Sequence, residues 1–262
     1  MYNKLMQFKD YFSAQSDEYA RRRPHYPPEL FEYLSLVVEA HDQAWDCGTG
    51  NGQAALGLAP YFERVIATDP SADQLRNAAS HPKVTYRQVP AEDTGLPSSS
   101  VDLVTVAQAL HWFDLPRFFE EARRVLKPGG VIAVWAYTLC RIEPEIDKVV
   151  DDFYYNVVGS YWPPERRLVD SQYKTIAFPF EEFEAPPFSI ELDWNLNDLL
   201  GYIRTWSPLR RYIEANGSDP TELILDPLAV AWGDPQQQRR VTFPIHMRAG
   251  RCESGQSRSN ES

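Results

Sequence analysis

Cysteine is scarce in this 262-residue chain. Its three copies, Cys47, Cys140 and Cys252, lie far apart with no C-x-x-C spacing. That pattern excludes a disulfide framework and a cysteine-based zinc site, and it fits a reducing compartment. Positive charge is also short, with 26 Lys+Arg against 37 Asp+Glu and a formal net charge of −11. A net acidic chain repels phosphate backbones, so broad capture of nucleic acid is not expected. No apolar run approaches the roughly 18 residues that a membrane helix needs, and the opening MYNKLMQFKD lacks the apolar stretch of a signal peptide. A cytoplasmic protein without a membrane partner is the expectation. Hydrophobic residues at 43% and charged residues at 24% are ordinary for a globular protein. The length suits one large α/β domain.

Along the chain, periodicity predicts a helix from Pro28 to Ala40, with Leu30, Tyr33, Leu34, Val37 and Val38 at helical spacing. QAWDC reads as a strand that breaks into a glycine-rich turn, followed by a short helix stopped near Pro60. RVIATD is a strand ending on an acid, and SADQLRNAAS a helix capped by Ser71. KVTYRQV is a third strand, and SVDLVTVAQAL, nearly continuous in apolar residues, has the pattern of a strand buried on both faces. DLPRFFEEARRVL is an amphipathic helix, which Lys127-Pro128-Gly129-Gly130 is expected to end before a fifth strand, GVIAVWAY. Five strands alternating with helices indicate a doubly wound parallel sheet.

Beyond Tyr137 the rhythm changes. Residues 143–174 are rich in Tyr, Trp and charge and read as helices joined at Pro163-Pro164. FEEFEAPPFSIELDW carries one strand, NLNDLLGYIRTW and DPTELILDPLAVAW are helical, and RRVTFPIHMRAG is the last strand. The polar end, residues 251–262, is expected to be a disordered tail.

Asp46-Cys47-Gly48-Thr49-Gly50-Asn51-Gly52 lies between a strand and a helix, where it offers backbone N–H groups and room for close approach of a ligand. A dinucleotide fingerprint needs G-x-G-x-x-G. Here the third glycine comes too early and Gln53 holds its place. Asp46 before the turn suits a cationic ligand better than a pyrophosphate. Asp69, 21 residues after Gly48, ends the next strand. A carboxylate there can accept both hydroxyls of a ribose; it can also simply cap the helix that follows.

These blocks, together with PAEDTGLP, SVDLVTVAQALHWFD and LKPGG, occur in one order across residues 44–137. In them the sequence resembles the class I S-adenosylmethionine-dependent methyltransferases. The nearest type is that of small-molecule enzymes such as trans-aconitate and juvenile-hormone-acid methyltransferases. A looser match, YFSAQSDEYARRRPHYP, precedes them. The resemblance implies a Rossmann-like, seven-stranded, mostly parallel sheet with a helical lid insertion. It divides one domain over residues 1–250 into N-terminal cap helices (1–40), a cofactor core (41–138), and a lid with terminal strands (139–250).

It also implies S-adenosylmethionine as cofactor. Gly48, Gly50 and Asn51 would line its methionine part, with Asp46 supporting the turn. Asp69 would hold the ribose with Pro70 beside the adenine, and Ala91 and Glu92 would meet the adenine edge. Pro90 stands where many members have an Asp, so that edge relies on backbone groups and on Glu92 or Asp93. Gln108 would sit next to the sulfonium, and Tyr19 and Arg23 would close over the methionine carboxylate. His111 and Trp112, after the fourth strand, are the candidate catalytic pair: Trp112 against the acceptor, His111 beside the methyl group.

The expected activity is methyl transfer to a small molecule, at a carboxylate or hydroxyl oxygen. A tRNA or protein methyltransferase, or a cofactor-binding protein without catalysis, are the alternatives. The aromatic second half can build a lid. Arg166, Arg167, Arg210 and Arg211 could recognise an acidic substrate, but exposed paired arginines are more often plain surface charge.

Overall fold

The computed structural model describes residues 24–253. The expected roles of Tyr19 and Arg23 lie outside those residues. Five strands, β1 (Gln43–Cys47), β2 (Arg64–Thr68), β3 (Val84–Arg87), β4 (Val101–Ala107) and β5 (Leu126–Tyr137), come first. They alternate with helices α1 (Pro28–Leu36), α2 (Gln53–Leu58), α3 (Ala72–Arg76) and α4 (Leu115–Val125). Ser71 caps α3 by accepting the Gln74 N–H, as its position predicts. The helix expected to reach Ala40 stops at Leu36, before Val37 and Val38. Branching at Cβ makes both valines weak helix residues.

The sheet runs β3-β2-β1-β4-β5-β8-β6, with β7 also on β8. The first five strands pair in parallel, and β8 (Arg239–Arg251) runs antiparallel to β5. Eight strands form where seven are implied. The extra one arises because Pro186-Pro187 splits the single strand expected near 180–194 into β6 (Glu181–Phe183) and β7 (Phe188–Trp194). Proline lacks the N–H a ladder needs. Both pieces pair with β8, one after the other along its length.

Two further expectations are corrected. Residues 127–130 do not turn the chain ahead of β5; they lie inside it, as an irregularity opposite Val101 to Leu103 that begins once Leu126 leaves helical geometry. Nor does the tail begin at 251. Arg251 closes β8, and Cys252 exchanges backbone hydrogen bonds with Gly129 and Gly130.

The lid comes from two insertions. Between β5 and β6 lie α5 (Pro144–Asp152), a π-helical turn (Phe153–Val157) and α6 (Arg166–Asp170). Between β7 and β8 lie α7 (Leu196–Arg204), α8 (Ser207–Asn216) and α9 (Glu222–Trp232). Helix α8 was not anticipated; it starts two residues after Thr205 with its own Pro208 in the first turn. No helix of the described residues is long and apolar enough to cross a membrane.

The strand order reverses between β1 and β4, which opens a crevice beyond the carboxyl ends of the parallel strands. One polar clamp steadies the connection to β4. Glu121 on α4 accepts from the Thr94 backbone N–H at 2.9 Å and takes a two-pronged contact from Arg124 at 2.7 and 2.8 Å. Burial alone would raise its carboxyl, but the bonds from Arg124 and Thr94 outweigh it and hold it down at about 2. A depressed carboxyl stabilises the fold above its unfolded value near 4.5 and ceases to do so as pH falls through 2. Glu121→Gln should therefore cost about 1.5–3 kcal/mol at pH 7 in urea unfolding. The gap from the native chain should close between pH 4.5 and 2; a constant gap would show that charge is not its source.

Candidate active site

The cofactor side is built around a carboxylate that water does not reach. Asp46 stands in register with Thr105 on β4, and its two oxygens accept from Thr105 Oγ1 at 2.8 Å and Thr49 Oγ1 at 2.5 Å. Burial pushes its carboxyl up to about 6, against the downward pull of those two hydroxyls. Asp46 is fully buried, so it braces the turn instead of touching a ligand.

Gly48 and Gly50 both take positive φ, +67° and +56°. A Cβ on Gly48 would lie 2.5 Å from the Ala109 Cβ and 3.0 Å from the Phe113 ring. At Gly50 the same atom would meet only Gln74 Oε1 at 3.7 Å, so this side of the turn stands open. Asp69, at the end of β2, accepts the Gly50 N–H at 2.9 Å through one oxygen and the Ser71 N–H at 2.8 Å through the other. The structure thus brings Gly48, Gly50, Asn51, Asp69 and Pro70 together over the ends of β1 and β2. Asp69 thus braces both the glycine turn and the segment before α3, from a buried position beside the crevice.

Ala91 and Glu92 follow β3. Ala91 is buried in the core. Glu92 Oε1 accepts the Asp114 N–H at 2.9 Å, which ties the loop after β3 to the HWFD segment. One of the two Glu92 oxygens is thereby engaged by a backbone donor.

Gln108 ends β4 with a φ of +55°, a left-handed conformation rare outside glycine and concentrated at functional sites. Its backbone N–H donates to Trp135 O at 2.9 Å and its amide to Tyr137 O at 3.1 Å, which fixes it between β4 and β5. After it, a tight turn over Leu110–Trp112 places His111 and Trp112 side by side, ring centres 4.7 Å apart.

These residues open onto a cavity of about 80 Å³. Gln108, His111, Trp112, Tyr137 and Leu139 come from the ends of β4 and β5. The lid adds Tyr154, Trp162, Pro163, Arg166, Tyr202, Trp206 and Ser207. Tyr154, Trp162 and Trp206 pack on one another, with centres 4.9 to 5.9 Å apart. A wider groove of about 780 Å³ lies between α5 and α9, but it touches none of the strand ends.

His111 Nδ1 lies 2.9 Å from the hydroxyl of Tyr173, a buried residue. Burial, with help from the Arg166 charge, holds the imidazole down at about 3. Such a ring is neutral at physiological pH and a weak base. Of the neighbours of His111, Tyr173 was missed by sequence reasoning, and Arg166 was considered for an acidic substrate but set aside as surface charge. Arg166 reads as surface charge in PPERRLVD, yet it packs over the Trp162 ring at 4.8 Å. The nearby Trp162-Pro163 was its only local signal.

Gly48→Ala should strain the turn and press on Ala109, costing about 1–3 kcal/mol. Thermal unfolding checks this; an unchanged midpoint would mean that the turn relaxes freely.

Comparisons with known proteins agree with this geometry. The methyltransferase-domain family matches residues 45–134, the span from β1 through most of β5. A Dictyostelium discoideum protein assigned as a methyltransferase is 38% identical over 247 residues, covering 92% of this chain and 94% of its own. A Saccharomyces cerevisiae protein assigned as an S-adenosylmethionine-dependent methyltransferase is 33% identical over 140 residues, covering 50% of this chain and 47% of its own. A solved structure from Anaeromyxobacter dehalogenans, assigned as a type II methyltransferase, is 52% identical with a TM-score of 0.83, covering 88% of this chain and 98% of that one. The glycine turn braced by Asp46, the acid on the neighbouring strand and a near full-length relative converge, and the chain belongs to the class I S-adenosylmethionine-dependent methyltransferases.

Proposed function

We propose that the chain methylates a small molecule at an oxygen, with a carboxylate favoured over a hydroxyl. The observation that carries this reading is the confined aromatic cavity of about 80 Å³ at the end of β4. Its size and enclosure support a small acceptor over a tRNA or a protein, and the acidic balance of the chain agrees. The resemblance to trans-aconitate and juvenile-hormone-acid methyltransferases is part of this reading. So is a cytoplasmic location, which the three free cysteines support.

The residues around the glycine turn fit the cofactor. Gly50 leaves an open cradle, Asp69 presents a buried carboxylate, and Asp46 lends negative character beneath. Gly48, Gly50 and Asn51 would hold the methionine part, Asp69 the ribose, Pro70 and the backbone at Ala91 the adenine, and Gln108 would face the sulfonium. When bound, S-adenosylmethionine supplies an electrophilic methyl group. The protein's part is to align an oxygen with it and keep water out, and positioning of that kind can supply on the order of 7–11 kcal/mol. A carboxylate acceptor arrives as an anion and needs no base. The weak basicity of His111 matches that need, so His111 orients the acceptor and Trp112 shapes its pocket.

The deciding experiment incubates the protein with methyl-labelled cofactor, a metabolite extract, tRNA and denatured protein. Label should appear in small molecules; label confined to RNA or protein would overturn the reading. Asp69→Ala should weaken S-adenosylhomocysteine binding by about 10- to 150-fold, the worth of a charged hydrogen bond. Equal affinity by calorimetry would reduce Asp69 to a brace. Trp112→Ala should lower turnover on the order of a hundredfold while leaving cofactor affinity near native. His111→Gln should change the rate by less than about tenfold and leave the profile from about pH 5 to 8 the same shape as the native chain's, since the imidazole titrates near 3. A drop of about 10² or more would restore His111 as the base.

A further inference from the structure

The guanidinium of Arg166 spends its hydrogen bonds on one edge. Its Nε donates to the Tyr154 hydroxyl at 2.8 Å and to Asp170 Oδ1 at 3.2 Å. Its two Nη groups make no hydrogen bond among the described residues. The cation is sandwiched by π faces, 4.8 Å from the centre of Trp162 and 5.6 Å from that of Tyr154, and the residue lines the acceptor cavity. Asp170 also accepts from Tyr154, so the acid, the phenol and Nε form a closed triangle that orients the guanidinium without using its outer fork. That fork matches a carboxylate in two parallel bonds.

A second observation is independent of the first. The indole Nε1 of Trp162 is buried and has no hydrogen-bond partner among the described residues, and Trp162 lines the same cavity. Buried donors left unmatched are rare in native proteins, and each one calls for a partner. The cavity therefore carries a local surplus of donors.

We propose that Arg166 and the Trp162 indole N–H form a carboxylate-binding subsite for the methyl acceptor, whose apolar body lies against Tyr154 and Trp206. A carboxylate suits the site better than a phosphate, because Asp170 already offsets part of the single cation and a second negative charge would go unmatched. The proposal rests on the small-molecule methyltransferase reading, and names the chemistry by which that site selects its acceptor.

Tryptophan fluorescence provides the test, because Trp112, Trp162 and Trp206 all line the cavity. The full chain, saturated with S-adenosylhomocysteine, is titrated with phenylacetate, cinnamate and hexanoate, and with the primary amide of each. At least one acid should bind about tenfold or more tighter than its amide. Arg166→Met should reduce that preference by about 10- to 150-fold, and Arg166→Lys should recover part of it. Trp162→Phe, which keeps the ring face and deletes the N–H, should reduce it several-fold. The acid-to-amide ratio is measured within each protein, so a variant that folds less completely still reports it. Acids and amides of equal affinity, binding of none of the probes, or a preference that survives Arg166→Met would each overturn the subsite. Failure of the native chain to hold S-adenosylhomocysteine would instead overturn the methyltransferase reading beneath it.

Discussion

The site depends on a buried ion held by two hydroxyls. Asp46 sits at the end of β1 with no access to water, and its bonds to Thr49 and Thr105 join the glycine turn to the neighbouring strand. Without those donors a carboxylate at this depth would protonate or drag the turn outward. With them, the turn keeps its left-handed glycines, and Asp69 can reach across from β2 to the Gly50 N–H. Two acids that repel each other are thus fixed on either side of one loop. The arrangement favours a ligand that carries positive charge.

From that loop the construction passes to the next strand. Gln108, in its left-handed conformation, turns the chain out of β4 just where β5 can receive its amide. His111 and Trp112 follow on a single tight turn and meet the lid. The glycine turn, through Asp46 and Thr105, and the aromatic cavity are therefore both tied to β4. The lid owes its own rigidity to ring-on-ring packing and to β8, which pairs with β5 on one side and with β6 and β7 on the other.

How much of this was legible depended on the range of the interactions. The strand–turn–helix rhythm from Gln43 to Tyr137, the Ser71 cap and the Gly48-to-Asp69 spacing are local, and the sequence shows them directly. The acids at 46 and 69 could be placed, but their internal bonds could not, since Thr105 is 59 residues from Asp46. The split of β6 from β7 was written in Pro186-Pro187 and was missed because the apolar pattern around it reads as one strand. Arg166 illustrates the opposite limit. Nothing in ERRLVD separates it from Arg167; only the folding of Tyr154 and Trp162 around one of the two decides which is exposed. Helix α8 falls in the same class, a polar segment whose place is set by what it packs against.

The lid's position in the chain has a consequence for how such a protein can diverge. The matched family region ends at residue 134, and every lid residue that faces the acceptor lies after it. The glycine turn, Asp46 and Asp69 lie before Leu110, and they are bound to one another through the sheet. The glycine turn and the His111–Trp112 wall of the cavity thus lie on one stretch of the polypeptide, and its lid wall on another. A lineage can rewrite its second half, exchanging Arg166 or Trp162 for other side chains, and acquire a new substrate while the methyl-delivering half remains as it was.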